Sequence, residues 1–195
     1  RASLFHLGVL ARLAEMDVLR HVQVLSTVSG GSIVGAHYYL ELQHLLQTTT
    51  DQDLTPEDYV HLVRRLQHNF LAAVQKNIRM RAVGGFWSNL KVLFLPGYTR
   101  STRLAELYQK YIYNSVPKGE PSRRADAMPD LMIAPKGEGP REEFSPGKAN
   151  WRRRAKVPTI LINTTSLNSG HNYHFTAKFM GEPPGLTGFE VDMNA

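Results

Sequence analysis

From position 2 to 19 the apolar residues Leu4, Phe5, Val9, Leu10, Leu13 and Met16 recur at steps of three and four, with Arg12 and Glu15 between them. That spacing predicts an amphipathic helix with the two charged side chains outside. Over 21–28 the period shortens to two: Val22, Val24 and Val28 fall in phase, which predicts a buried strand. Helical spacing returns at Gly30 and holds to about residue 47 through Ile33, Val34, Tyr38, Leu42, Leu45 and Leu46. The chain therefore opens as helix, strand, sharp glycine turn, helix.

A polar break at 48–54 precedes Thr55-Pro56-Glu57-Asp58, which combines a capping Thr, Pro at the first helical position and acids in the first turn. A long helix is predicted from there to about residue 80, closed by Gly84-Gly85. The stretch 86–95 (FWSNLKVLFL) is strongly apolar, and 100–113 is helical again, with Leu104, Leu107, Tyr108 and Tyr111 on one face. Between 114 and 156 the composition shifts to Pro, Gly, Lys, Arg and Glu, with a short apolar patch at 131–134, which predicts a mostly irregular, basic surface insertion. Order returns with a second buried strand at 157–164 (VPTILINT), a turn at Asn168-Ser169-Gly170 and a further strand at 173–179. The sequence has no internal repeats.

Composition narrows the class. With 195 residues, 42% of them hydrophobic, and a mean hydropathy of −0.30, the chain suits one globular domain over 1–195. No apolar run approaches the roughly 20 residues of a spanning helix. The absence of cysteine excludes disulfides, thiolate metal sites and cysteine nucleophiles. The net charge of +6 and pI near 9.7 suit anionic surfaces, either membrane or nucleic acid. The chain begins at Arg1 without an initiator methionine or a leader, and reads as a fragment.

Candidate chemistry concentrates in VLSTVSGGSIVGA, positions 24–36. A nucleophilic serine on an α/β sheet sits on a strained strand-to-helix turn whose neighbours two residues away on either side are small. Ser29 has Thr27 before and Gly31 after, and falls where the strand ends. Ser32 has branched Val34 after it and lies inside the first helical turn; Ser26 lies within the strand between Val24 and Val28. Ser29 is therefore the candidate nucleophile. The N–H groups of Gly30 and Gly31 at the helix start would face developing negative charge. The nucleophile elbow usually has Gly where this chain has Thr27. The same turn also reads as a glycine-rich helix start that packs closely or binds an anion such as phosphate.

The stretch from Arg1 to Tyr39 resembles patatin-like phospholipases, in which a Gly-Gly-Gly-x-Arg loop opens a helix and a strand then delivers the serine. Arg1 is similar to the arginine of that loop, which would place the oxyanion glycines just before residue 1. Val-Ser-Gly-Gly-Ser looks like a bacterial variant of the elbow with a small residue in place of its first glycine. A second segment, 158–176 (PTILINTTSLNSGHNYHFT), resembles the family's strand with an Asn-x-Thr stretch, Gly turn and aromatic strand. The resemblance implies an α/β, three-layer fold with a central, mostly parallel sheet, incomplete here. It implies a serine lipid acyl hydrolase of phospholipase A or lysophospholipase type, with a Ser–Asp dyad whose Asp belongs to an Asp-Gly pair. No such pair occurs in the sequence; Asp192 is followed by Met193, and the dyad Asp is expected beyond residue 195.

The remaining candidates carry less. His37 and His44, like His61 and His68, are seven apart and too distant on a helix to share a metal, and His171 and His174 fall on opposite strand faces. No metal or cofactor is expected. Trp151 with Arg152, Arg153, Arg154 and Lys156 reads as a solvated basic loop, or as a phosphate contact. The 86–95 stretch, flanked by Arg79, Arg81 and Arg100, reads as a buried helix or an interfacial lipid contact. The expected partner is a phospholipid or other lipid ester, with peripheral membrane contact and no nucleic acid; the expected location is cytoplasmic or peripherally membrane-associated. The alternative function is a non-catalytic module binding anionic lipid or phosphate.

Overall fold

The computed structural model describes residues 2–84, 97–117, 128–140 and 143–182, together with Phe94. Arg1, Asp192 and the 86–95 stretch apart from Phe94 lie outside the described residues. Helix α1 (Ala2–Glu15) leads through a 3-10 turn at Leu19–His21 into strand β1 (Val24–Val28) and helix α2 (Gly30–Thr48). Helix α3 (Pro56–Gln75) follows; at its start the Asp58 carboxylate accepts from the Thr55 N–H (2.9 Å) and hydroxyl (3.0 Å), satisfying an otherwise orphan donor. The long helix expected to residue 80 breaks where Asn77 adopts φ 51° and ψ 51°, and continues as α4 (Ile78–Val83). Helix α5 (Arg100–Tyr111) and the short α6 (Pro146–Ala149) precede β2 (Thr159–Thr165), β3 (Asn172–Phe175) and β4 (Met180–Gly181).

The chain is a mixed α/β structure with a four-stranded sheet in the order β1-β2-β3-β4. Among the described strands only β1 and β2 pair in parallel, with Val24 opposite Thr159 and Val28 opposite Asn163; β2·β3 and β3·β4 are antiparallel. The expectation of a mostly parallel sheet is thus corrected for the described strands. The physical reason is connection length: β2 to β3 and β3 to β4 are joined by turns of a few residues, which can only reverse the chain, whereas helices separate β1 from β2.

The buried face of β1 is also the reverse of the valine phase. Val24 and Val28 are 57% and 62% exposed, while Leu25 and Thr27 turn inward. Close packing of α2 decides this: at Gly35 a Cβ would lie 2.5 Å from Thr27 Cγ2 and 3.9 Å from Leu25 Cδ2. A helix that starts one residue after the strand folds back onto the 25/27 side, and the valines are left on the other. In α1 the buried side chains are Leu7 and Ala14, with Leu10, Ala11 and Leu13 packed beside them; Phe5 and Val9 face out, as does Met16 just past its end. The main core joins α2 (Val34, Tyr38, Leu42, Leu46) to α3 (Leu62, Leu66, Phe70) and to Ile160 of β2, each fully buried large side chain contributing about 1.5–3 kcal/mol.

Much of the segment expected to be irregular surface is tied to this core. Leu131, Ile133, Phe144, Ala149 and Ala155 are buried, Gln43 Nε2 donates to the Asp130 and Met132 carbonyls, and the Asn150 side chain exchanges two 2.9 Å bonds with the Val157 backbone. Short-range composition reported polarity there; the scattered apolar residues carry the packing.

Candidate functional site

Ser29 joins β1 to α2 with φ 52° and ψ −125° and has an exposed side chain. Positive φ also occurs at Asp17 and Asn77, but Asn77 rests in the ordinary left-handed well. The Ser29 conformation is one that glycine tolerates and a serine adopts under strain of about 1–3 kcal/mol. It lifts the side chain off the sheet end while α2 starts immediately behind it. The Gly30 and Gly31 N–H groups belong to the first turn of α2, where no intrahelical acceptor exists, and they bear the positive end of a 19-residue helix. Ser32 is different: its N–H bonds to the Ser29 carbonyl (3.0 Å), and its Oγ is enclosed without a partner among the described residues. Ser26 points to the open sheet face, where its Oγ accepts from Asn163 Nδ2 (2.9 Å).

The turn is braced by α1 on one side and β2 on the other. Ser3 Oγ of α1 donates to the Gly30 carbonyl (2.9 Å), and the His6 ring lies 3.5 Å from where a Gly31 Cβ would stand. Asn163 Nδ2 also donates to the Thr27 carbonyl (3.0 Å), and Thr27 Oγ1 donates to the Leu161 carbonyl (3.1 Å). Gly31 is not where strand and helix meet most tightly, as the elbow geometry leads one to expect. An added Cβ at Gly31 makes ordinary contact, whereas Gly35 has no room. The Thr at the position usually held by glycine is accommodated because its methyl occupies the space a side chain at Gly35 would take. Sequence reasoning overlooked Gly35, Ser3 and His6, whereas Asn163 belongs to the Asn-x-Thr stretch of the 158–176 segment. A glycine inside an otherwise good helix, at a cost of about 1 kcal/mol, is the signal that marks Gly35; Ser3 and His6 carry none.

The basic cluster is largely absorbed into structure. Arg153 is buried, with Nη1 on Glu138 (2.9 Å) and Nη2 on Asp51 (3.3 Å), and Asp51 also accepts from the Arg154 and Ala155 N–H groups. Arg152 pairs with Glu138 (2.9 Å) and Lys156 Nζ donates to the Asn150 carbonyl (2.8 Å). Arg153 ties the 150–156 turn to Asp51 in the loop after α2, and together with Arg152 to Glu138; Trp151 stands 82% exposed beside them. A cleft lined by Tyr39, Phe144, Pro158, Ile160 and Phe179 lies at the start of β2, the opposite end of the sheet from Ser29.

A second polar group is buried between α2, α3 and the turn at Tyr113–Ser115. The Glu41 carboxylate, fully buried, accepts from Arg65 Nε (2.8 Å) and Nη2 (2.7 Å). His37, also fully buried, has Nε2 3.9 Å from Glu41 Oε1 and 3.4 Å from Ser115 Oγ, with the Tyr113 ring edge-on to it. Burial lowers the His37 pKa to about 4, so the ring is neutral near pH 7. No group of three His, Asp or Glu side chains among the described residues is placed to hold a metal ion. No described helix is long and apolar enough to cross a membrane. No family model, curated protein or solved structure matches the chain.

Proposed function

We propose that Ser29 is the nucleophile of a serine acyl hydrolase acting on lipid esters, of phospholipase A or lysophospholipase type. The observation that carries the reading is the Ser29 backbone: a non-glycine residue at φ 52° and ψ −125°, exposed at a strand end with a helix starting behind it. That is the strain and placement a nucleophile elbow requires. The lipid substrate class comes from the resemblance of residues 1–39 and 158–176 to patatin-like phospholipases.

In this reading Ser29 Oγ attacks the ester carbonyl carbon while its proton passes to the aspartate of a Ser–Asp dyad. The carbonyl oxygen becomes an oxyanion that the Gly30 and Gly31 N–H groups, with the glycine loop implied ahead of Arg1, hold by directed hydrogen bonds. Collapse breaks the bond to the alcohol, which leaves with the proton, and water then attacks the acyl-serine and restores the free hydroxyl. Removing an oxyanion donor of this kind costs on the order of a hundredfold to a thousandfold in rate.

The test is covalent labelling of the full-length chain by a fluorophosphonate, with the modified residue located by mass spectrometry. Modification of Ser29, abolished by Ser29→Ala and retained in Ser32→Ala, is the expected result. Labelling that follows Ser32 instead, or no labelling of a folded protein, overturns the assignment and leaves the anion-binding module as the reading of the turn.

A further inference from the structure

Ser29 stands on the rim formed by the C-terminal ends of β1 and β2, and exposed apolar side chains stand there with it. Val28, its neighbour, is 62% exposed. Phe5 is 70% exposed; its ring meets the His6 ring edge-on at 5.6 Å, and His6 in turn abuts Gly31. Leu167 is 99% exposed. Register places it: Val28 pairs with Asn163, so Thr164 and Thr165 run on past the end of β1 and the following turn overhangs the elbow. Backbone bonds from Gly170 to Ser166 and from Ser166 to His171, both 2.9 Å, close that turn, which holds Leu167 out at an ordered tip.

Single exposed apolar residues are common; the distribution of formal charge is what distinguishes this rim. Segments 2–11, 22–40 and 157–177, which meet at the elbow, contain no Asp, Glu, Lys or Arg, in a chain that is 21% charged with a net charge of +6. Glu182, near the hairpin, is engaged by His171 Nδ1 (3.1 Å) and by Ser169. A charge brought into a lipid interface carries a desolvation cost, and a cationic patch selects anionic headgroups. Among the described residues the rim has neither, and such a surface, bearing aromatic and aliphatic side chains, matches an interface without net charge.

We infer that this rim, with Phe5, Val28 and Leu167 as its apolar contacts, docks on a zwitterionic lipid surface and presents Ser29 to it. The inference rests on the acyl-hydrolase reading of Ser29 and adds the surface through which substrate is reached. It moves the lipid contact away from Trp151 and the arginines, which lie at the other end of β2, roughly 20 Å along the strand.

The test is partition of the full-length chain onto phosphatidylcholine vesicles, and onto vesicles also containing phosphatidylglycerol, at low and high salt. Binding to phosphatidylcholine that is insensitive to salt, at least about tenfold weaker in Phe5→Asp and in Leu167→Asp, and unchanged in Trp151→Asp, is expected. Both rim residues are largely solvent-exposed, and circular dichroism verifies that the variants fold. Three results overturn the inference: no binding to phosphatidylcholine, binding only to the anionic vesicles and lost in high salt, or a loss in Trp151→Asp as large as in the rim variants. Turnover of a water-soluble short-chain ester separates the two readings. Turnover without vesicle binding removes the docking rim alone, and vesicle binding without turnover or labelling of Ser29 removes the catalytic reading.

Discussion

Replacing Gly35 by alanine tests how the elbow accommodates Thr27. The new methyl would sit 2.5 Å from Thr27 Cγ2 and 3.5 Å from Thr27 Cβ, about 1 Å inside the usual carbon–carbon contact of 3.5–4.0 Å. Thr27 has little freedom to yield: it is β-branched, buried, and its Oγ1 donates to the Leu161 carbonyl, so rotating the methyl away breaks that bond. Overpacking of this kind costs about 1–3 kcal/mol, against a gain of about 1 kcal/mol from putting alanine for glycine in a helix. With so short a contact the upper part of the range applies, and Gly35→Ala should lose about 1–2 kcal/mol. Thr27→Ser removes only the methyl and keeps the hydroxyl, at a cost of about 0.8 kcal/mol. In the Thr27→Ser background the same Gly35→Ala change should become neutral or stabilising by up to about 1 kcal/mol, a coupling of about 2 kcal/mol. Urea unfolding of the four proteins at constant m-value measures the cycle. Additivity within about 0.5 kcal/mol, or stabilisation by Gly35→Ala alone, would refute the idea that the two positions share one space.

Three further outcomes follow from the geometry. Ser29→Gly should stabilise the fold by about 1 kcal/mol while abolishing fluorophosphonate labelling, since glycine accepts φ 52° without strain; a destabilised variant would mean the turn is not strained. His37 protonates near 6.5 when unfolded and near 4 when folded, so the unfolded chain binds more protons between those values and stability present above pH 6.5 is lost as pH falls toward 4, by up to about 3 kcal/mol. His37→Gln should flatten that limb in urea titrations at pH 7 and pH 5, and an unchanged slope would exclude His37 as its source. Arg65→Ala leaves the fully buried Glu41 carboxylate without its cation and should cost about 3–5 kcal/mol, whereas Glu41→Gln frees an arginine that is 41% exposed and able to hydrate, at a smaller cost; equal losses would contradict this asymmetry.

The elements that local chemistry specifies were legible in the sequence. The Thr55-Pro56 start of α3, the α2 start at Gly30 and a strand near 159–165 follow from caps, glycine and β-branched runs, and so does the position of Ser29 between strand and helix. What needed three dimensions was the facing of β1. Alternation separates Val24 and Val28 from Leu25 and Thr27, but the choice of inner set belongs to α2 and to the bare helix surface at Gly35. The outward turn of Phe5 and Val9 was hidden for a related reason: α1 is apolar on more than one side, so its spacing has no unique inner face. Arg153 illustrates a third limit, because a run of cations reads as solvent-exposed until carboxylates distant in sequence, Asp51 and Glu138, are brought to it.

The parallel pairing that steadies Ser29 has a consequence for when the site comes into being. The bond from Thr27 to Leu161 spans 134 positions of the chain, while α1, α2 and α3 are consecutive neighbours. Closing so long a loop costs entropy that grows with the logarithm of its length, and contacts of this separation slow folding. The helices can consolidate around Leu42, Leu62 and Leu66 before β2 arrives, so the serine turn is expected to tighten in the closing stage of folding. Strain at Ser29 then favours its release whenever β2 detaches, which makes the competence of the turn a reporter of the last step to form and the first to open.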